Sequence, residues 1–211
     1  MTSPAFPARR LGVLISGRGS NLQAIIDAIG AGTLEATIGI VISSRASAPG
    51  LARARAAGIP SAVIAAADHP HRDACDAAIV DRLRAAGVEL VCLAGYMRLV
   101  GRPLLEAYPE RILNIHPSLL PSFPGLEAQR QALAHGVCVT GATVHLVDAG
   151  LDAGPIVAQA AVPVHDDDTA ESLAARILVQ EHRIYPEAIA FILGGGWTVR
   201  GRRVVKADAG A

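Results

Sequence analysis

The sequence predicts a doubly wound α/β fold: a mostly parallel, twisted sheet with helices on both faces and an antiparallel C-terminal part. Short apolar runs alternate with amphipathic helical patterns through the first half of the chain. Runs such as 11–15 and 90–93 have no polar alternation, as expected for strands buried on both faces. Gly58 and Gly87 stand just past two helical patterns, where helices commonly end.

The first half predicts strands and helices in strict alternation, the signature of βαβ units. The predicted strands are Leu11–Ser16, Ala36–Ser43, Ser61–Ile64 and Val88–Leu93, and the predicted helices are Ser20–Ile29, Pro49–Ala57 and His71–Ala86.

The second half departs from this alternation. Two apolar runs, Thr140–Val147 and Ile156–Val164, are separated by a glycine-rich stretch too short for a helix, which predicts antiparallel pairing. Pro186 lies inside the longest helical pattern and predicts a kink or a split there. The other predicted elements are a strand at Arg111–Ile115, a proline-rich loop at Pro117–Pro124, helices at Leu126–Ala134 and Thr169–Leu193, and a β tail at Trp197–Val205.

Size and charge limit the classes of function. The chain has 211 residues, of which 51% are hydrophobic and 18% charged, enough for one core. We therefore predict a single domain over residues 1–211, with a phosphate-binding half at about 10–100 and a catalytic half at about 101–200. A formal net charge of +0 argues against nucleic-acid binding.

Cysteine usage and hydropathy predict a cytoplasmic protein. The three cysteines, Cys75, Cys92 and Cys138, are odd in number and lie in apolar runs, which favours buried, reduced thiols. The apolar stretch at 11–15 is too short for a signal peptide or a membrane span.

A glycine-rich loop, Ser16-Gly-Arg-Gly-Ser-Asn-Leu, joins the first strand to the first helix. We expect Ser20 and Asn21 to be N-cap residues, where backbone amides and the helix dipole favour a phosphate. Leu22 replaces the third glycine of the dinucleotide fingerprint, so a phosphomonoester fits better than a pyrophosphate. A turn that binds no ligand is an equally good interpretation of the loop alone.

Asn114-Ile-His-Pro closes a strand at the edge where open α/β sheets bind ligands. Side chains alternate along a strand, so Asn114 and His116 share one face. An amide donor beside an imidazole suits acyl transfer, in which an oxyanion forms and a proton moves from amine to leaving nitrogen. A polar strand end with a satisfied histidine is the commoner case for such a pair.

Asp152 lies in a glycine-flanked loop that follows another strand. A carboxylate near His116 would raise the pKa of the imidazole, fix its orientation and accept a proton from an attacking amine. Taken alone, Asp152 is also explained as a turn residue.

These motifs resemble the phosphoribosylglycinamide formyltransferase family, within a Rossmann-like formyltransferase fold. The similar strings run in the family's order from about Leu11 to Pro186, and the most specific is Leu113-Asn-Ile-His-Pro-Ser-Leu-Leu-Pro. The others are Ser16-Gly-Arg-Gly-Ser-Asn-Leu-Gln, Leu93-Ala-Gly-Tyr-Met-Arg, Gly141-Ala-Thr-Val-His-Leu-Val-Asp and Leu151-Asp-Ala-Gly-Pro-Ile.

The resemblance implies transfer of a formyl group from 10-formyltetrahydrofolate to the amine of glycinamide ribonucleotide, in purine biosynthesis. It implies that Asn114, His116 and Asp152 are catalytic. It also implies two binding sets. The ribonucleotide residues would be Gly19, Ser20, Asn21, Gln180 and Glu181, and the folate residues Arg72, Met97, Arg98, Leu99, Val100, Asn114, Asp148, Ala149, Gly150, Leu151 and Asp152. Glu127 and Gln129 depart from the family, whose members often carry histidine in this stretch.

Three alternatives stay open at this level. The first is a related formyl-folate enzyme, such as a deformylase or a transferase acting on charged tRNA or a sugar amine. The deformylase should carry an extra N-terminal domain, and the tRNA enzyme an extra C-terminal domain. The second is a nicotinamide-dependent reductase, with Ser43-Ser-Arg at a 2′-phosphate, although Leu22 argues against it. The third is a non-catalytic sensor of phosphate ligands.

The expected partners are small molecules, glycinamide ribonucleotide and a reduced folate, with no nucleic acid and no membrane, in a monomer or homodimer. We expect no metal requirement, because the histidines lack ligand spacing; His69 and His71 are the only close pair.

Overall fold

The computed structural model describes residues 9–207. The chain divides into two compact units, Met1–Ile112 and Leu113–Ala211. The division falls within one strand, whereas the sequence predicts one domain with halves meeting near residue 100.

The first unit is a parallel α/β unit with strand order β3-β2-β1-β4. Its strands are β1 Arg10–Ile15, β2 Thr37–Ser43, β3 Ser61–Val63 and β4 Leu90–Leu93, and its helices are α1 Ser20–Gly30, α2 Gly50–Ala56, α3 Arg72–Ala85 and α4 Arg102–Ala107, with a short 3-10 helix at Ala66–Asp68. The apolar runs are buried as expected, and Leu11, Val13, Leu14 and Ile15 are fully enclosed. All seven predicted elements of this half are present within two residues.

Helix α4 is absent from the sequence prediction. It has six residues and carries Pro103 in its first turn, where a proline needs no amide partner and its fixed φ suits a helix. Six residues are too few to display a 3.6-residue period, so pattern reasoning missed it.

The second unit is mainly antiparallel. Its strand order is β5-β6-β7-β9-β8, where β5 is Ile112–His116, β6 Val139–Leu146, β7 Ile156–Pro163, β8 Trp197–Arg200 and β9 Arg203–Lys206. The predicted antiparallel pairing of β6 and β7 is confirmed. The predicted β tail is a hairpin, β8 against β9, and Gly201 in its turn has φ 59°.

Two helices, α5 Ala128–Ala134 and α6 Ala170–Gly194, complete this unit. The expectation that Pro186 splits α6 is wrong, because the helix is continuous over 25 residues. Pro186 costs about 3 kcal/mol locally. Packing of the apolar face of α6, which includes Ile177, Ile184 and Ile189, against β6 and β7 outweighs that cost.

Two of the cysteines are buried as expected. Cys75 and Cys92 are fully enclosed, and Cys138, just before β6, is exposed, contrary to its apolar neighbourhood in the sequence.

Candidate active site

Strands β5 and β6 place three polar side chains together in the second unit. Asn114 and His116 lie on one face of β5, as their spacing predicts. In the antiparallel register Asn114 is opposite His145, and His116 is opposite Thr143. Directly opposed residues on one face touch, so the ladder itself brings His145 to Asn114.

His145 fixes the orientation of the Asn114 amide. The Nδ1 atom of His145 lies 2.9 Å from the carbonyl oxygen of Leu146, so Nδ1 carries the hydrogen and donates it. The Nε2 atom forms the hydrogen bond with Asn114 Nδ2, at 3.1 Å, and lies 3.6 Å from Asp152 Oδ1. The second Nδ2 hydrogen of Asn114 therefore points in a defined direction and is available to a ligand.

Asp152 lies between the two imidazoles. Its Oδ2 atom accepts from the Gly125 amide at 2.8 Å and lies 3.4 Å from His116 Nδ1, while Oδ1 lies 3.6 Å from His145 Nε2. Burial opposes ionisation, but His145, the Gly125 amide and His116 outweigh it and hold the pKa of Asp152 below its usual value. Asp152 is thus an ionised acceptor.

The backbone at Asp152 is in the left-handed region, with φ 49°. Aspartate tolerates this region better than most residues. The turn directs the carboxylate towards β5, so Asp152 lies beside His116, and Asn114 is on the same face of that strand.

Burial lowers the pKa of His116, although the carbonyl oxygen of Phe123 and the charge of Asp152 raise it in part. The expectation of a raised pKa is therefore wrong in its net sign, while the effect of Asp152 itself has the expected sign. The reason is desolvation, since only 5% of His116 is exposed. Its Nε2 atom donates to the Phe123 carbonyl at 2.9 Å.

The glycine loop in the first unit differs from its predicted form at one point. The N-cap of α1 is Gly19, in the left-handed region with φ 71°, and no side chain caps the helix. Ser20 and Asn21, predicted as caps, are instead the first two helical residues. Gly19 reaches a conformation that strains other residues, and this starts the helix one residue earlier than the side-chain signal suggests. Both residues stay in the first turn, where amides favour an anion.

Helix α2 holds this loop through two hydrogen bonds to loop carbonyl groups. The Gly50 amide donates to the Gly17 carbonyl at 3.0 Å, and Arg53 Nε donates to the Arg18 carbonyl at 3.0 Å. A Cβ on Gly19 would lie 2.7 Å from Gly50 Cα, so two glycines are required where the backbones meet. The roles of Gly50 and Arg53 were not predicted from the sequence. The only local signal was the position of Gly50 near the start of the predicted helix Pro49–Ala57.

The remaining predicted ligand residues lie in four places. Arg72 is the exposed first residue of α3, and 97–100 lie between β4 and α4, with Met97 58% and Leu99 60% exposed. In the 148–152 loop, Asp148 Oδ1 accepts from the Gly150 amide at 2.9 Å, Ala149 is exposed, and Leu151 is 56% exposed. On α6, Glu181 is buried and Gln180 accepts from Arg183.

Two features are absent from residues 9–207. No group of three or more His, Cys, Asp or Glu side chains in this range could hold a metal ion. No helix within it has the length and apolar character needed to cross a membrane.

Comparison with known proteins gives a consistent result. Residues 9–189 match the family described as formyl transferase. A glycinamide ribonucleotide transformylase from Symbiobacterium toebii is 58% identical, with a TM-score of 0.95 over 98% of this chain and 99% of that one. The phosphoribosylglycinamide formyltransferase of Bacillus subtilis is 43% identical, across 88% of this chain and 95% of that protein.

Other relatives are much longer. A trifunctional purine biosynthetic protein from Drosophila pseudoobscura pseudoobscura is 49% identical over 191 residues, which are 90% of this chain but 14% of that protein. The chain thus spans about one seventh of such relatives.

Proposed function

The chain belongs to the formyl transferase family, and from this premise we propose that it transfers the formyl group of 10-formyltetrahydrofolate to the amine of glycinamide ribonucleotide, in purine biosynthesis. The observation that carries the proposal is the cluster of Asn114, His116, His145 and Asp152, which combines a fixed amide donor, an imidazole and an ionised carboxylate. The names of the relatives support the choice of substrates.

Asn114 would stabilise the oxyanion. Attack of the amine on the formyl carbon places negative charge on the formyl oxygen, and one preorganised donor is worth about 3–4 kcal/mol in such a step. The Nδ2 atom of Asn114 is suited to this role because His145 takes one hydrogen and orients the other. His116 would be a second donor once Nε2 exchanges the Phe123 carbonyl for the substrate oxygen.

The reaction moves one proton as well as the formyl group. The substrate amine loses a proton, and the folate nitrogen that loses the formyl group gains one. We propose that Asp152 accepts the amine proton and returns it to His116 Nδ1, while His116 gives its Nε2 proton to the leaving nitrogen. A neutral resting His116 suits this exchange, because the ring starts and ends with one proton, in line with its lowered pKa.

The ribonucleotide phosphate would lie at the glycine loop. The left-handed Gly19 and the first turn of α1 offer backbone amides and the positive end of the helix dipole. Gln180 and Glu181 on α6 would contact the rest of this substrate. Arg72, the 97–100 segment and the 148–152 loop would bind the folate, and three of their side chains, Met97, Leu99 and Leu151, offer exposed apolar surface.

We further propose that the enzyme acts in the cytoplasm as a monomer or homodimer and needs no metal. The buried thiols of Cys75 and Cys92 are consistent with a reducing compartment. Retention of activity after dialysis against a chelator would support metal independence, and recovery of lost activity on adding zinc would overturn it.

The test is an absorbance assay of folate deformylation with and without glycinamide ribonucleotide. We expect turnover only when the ribonucleotide is present, together with stoichiometric formylated product. Asn114→Ala should remove most of the rate, and the exposed Asp81→Asn on α3 is the control. Equal deformylation without the ribonucleotide would show a hydrolase and contradict the proposal.

A further inference from the structure

We propose that Ser16 and Asp76 are positioning residues that fix the two ends of the segment Met97–Gly101, and that Asp76 thereby sets the affinity for the folate co-substrate. The inference rests on the proposed function, which assigns residues 97–100 to folate binding. Neither side chain belongs to the polar cluster of the second unit, and neither is given a chemical step.

Ser16 holds the first end of the segment. It follows β1 directly, is only 4% exposed, and its Oγ atom accepts from the Met97 amide at 2.8 Å. The same oxygen lies 2.7 Å from Ser44 Oγ, so the Ser16 hydroxyl hydrogen is free to bond there while the lone pair serves Met97. The Ser16 amide also donates to the Gly95 carbonyl at 3.1 Å. One buried residue therefore makes a side-chain contact with the first residue of the segment and a backbone contact with the chain just before it.

Asp76 holds the second end. It lies within α3, is 1% exposed, and its Oδ2 atom accepts from the Gly101 amide at 2.5 Å. A hydrogen bond to a carboxylate is about twice as strong as one between neutral groups. Burial raises the pKa of Asp76, and the Gly101 amide with the charges of Arg72 and Arg98 partly offsets that effect. The fold thus retains a poorly solvated carboxylate, and its hydrogen bond from the Gly101 amide holds that end of the segment.

Close packing at Gly101 strengthens this anchor. A Cβ there would lie 2.6 Å from Asp76 Oδ2, 3.0 Å from Arg72 Nε and 3.1 Å from Asp73 Oδ1. Only glycine lets the backbone approach this group of charged atoms closely. Arg72, another predicted folate residue, therefore lies beside the same anchor.

The residues between the anchors face outward. Met97 is 58% exposed and Leu99 60% exposed, so both apolar side chains are accessible to a ligand. A segment pinned at both ends keeps its central backbone in one conformation, so less conformational entropy is lost when a ligand binds. Loss of an anchor should weaken folate binding and leave the chemical step intact.

The experiment compares Asp76→Asn, Asp76→Ala and Ser16→Ala with wild type and with Asp81→Asn, an exposed carboxylate on the same helix. Dissociation constants for tetrahydrofolate and glycinamide ribonucleotide are measured by calorimetry, and kcat under saturating substrates. We expect Asp76→Ala to weaken tetrahydrofolate binding by about 10–100-fold, Asp76→Asn less, and Ser16→Ala by about fivefold. Ribonucleotide binding and kcat should stay within about twofold of wild type in the Asp76 variants.

Amide hydrogen exchange provides a readout that is independent of activity. Asp76→Ala should speed exchange at the Gly101 amide and leave the Met97 amide protected, and Ser16→Ala should do the reverse. Wild-type tetrahydrofolate affinity in Asp76→Ala would overturn the inference, and so would unchanged exchange at Gly101. If wild type itself binds no tetrahydrofolate, the proposed function fails instead, and the two failures are distinct.

Discussion

The glycine loop and the polar cluster are built in opposite ways. In the loop at residues 17–19, backbone geometry decides: Gly19 is left-handed, Gly50 approaches it closely, and no side chain caps α1. In the cluster, side chains decide: Asn114, His116, His145 and Asp152 contact one another or lie within ion-pair distance. The glycine loop should therefore be sensitive to any added atom at Gly19 or Gly50. The polar cluster should instead be sensitive to the loss of a single functional group, even when the size of the side chain is kept.

Of the substitutions in these two regions, we expect the largest loss of activity from a change at Asn114. Asn114→Ala removes the oriented Nδ2 donor, so we expect kcat to fall by about 10²–10³-fold. Ribonucleotide affinity should be nearly unchanged, because the phosphate is assigned to the glycine loop. Steady-state kinetics with calorimetry of ribonucleotide binding checks both. A large loss of ribonucleotide affinity with normal kcat would reverse the assignment of the two regions.

Asp152→Asn should produce the next largest loss, about 10²-fold in kcat, since the proton acceptor disappears while the shape is kept. The charge of Asp152 raises the pKa of His116 against the dominant effect of burial. Its removal should lower that pKa further and move the acidic limb of the kcat/KM profile, where protonation removes the neutral His116 ring, to lower pH. An NMR titration of His116 in both proteins measures the shift, and an unmoved pKa would contradict the pairing.

Asp168→Asn is the matched control for that variant. Arg176, the His165 amide and Ser172 hold the pKa of Asp168 below its usual range, yet these contacts only close the start of α6. A lowered carboxyl pKa stabilises the fold above the unfolded-state pKa of about 4, and the effect disappears as pH falls through the folded value. We expect normal kcat and a lower Tm at pH 7, with the Tm difference from wild type shrinking towards pH 2. A marked loss of kcat in Asp168→Asn would show that a carboxylate outside the cluster also affects the reaction, and would contradict the specific role of Asp152.

The glycine loop should respond to bulk, with a smaller effect than the cluster variants. In Gly19→Ala the left-handed backbone costs about 1–2 kcal/mol, and the new Cβ meets Gly50. The ribonucleotide KM should rise about 5–30-fold, with kcat nearly normal at saturation. Gly17→Ala is the control, because nothing lies within 4 Å of its added Cβ. Equal effects of the two substitutions would show that loop backbone geometry does not set ribonucleotide affinity.

Much of the fold was predictable from local pattern. The apolar runs of the first unit match β1 to β4, and the glycine-separated runs match the antiparallel β6 and β7. The errors have local causes. Helix α4 is shorter than two helical turns, and the uninterrupted helix around Pro186 depends on long-range packing. For α1, Gly19 caps through its backbone and leaves no side-chain signal.

The proposed catalytic trio of Asn114, His116 and Asp152 could be identified from the sequence because a strand spacing of two puts Asn114 and His116 on one face, and because the motif resembles a known family. His145 was not predicted. It lies 31 residues from Asn114 in sequence, and only the register of β5 against β6 makes them neighbours. Arg53 was missed for the same reason, since its partner Arg18 is 35 residues away.

The sequence by itself determined the α/β class, the strand that carries Asn114 and His116, and the loop glycines, because these depend on short-range periodicity and on backbone conformations that glycine reaches. Only the tertiary structure decided the pairing of Asn114 with His145, the support of the glycine loop by α2, and the sign of the His116 pKa shift. Strand register and side-chain burial both depend on contacts with residues that are distant in the chain. Desolvation of His116 depends on everything packed around it, and it outweighs the Asp152 charge that sequence reasoning had identified.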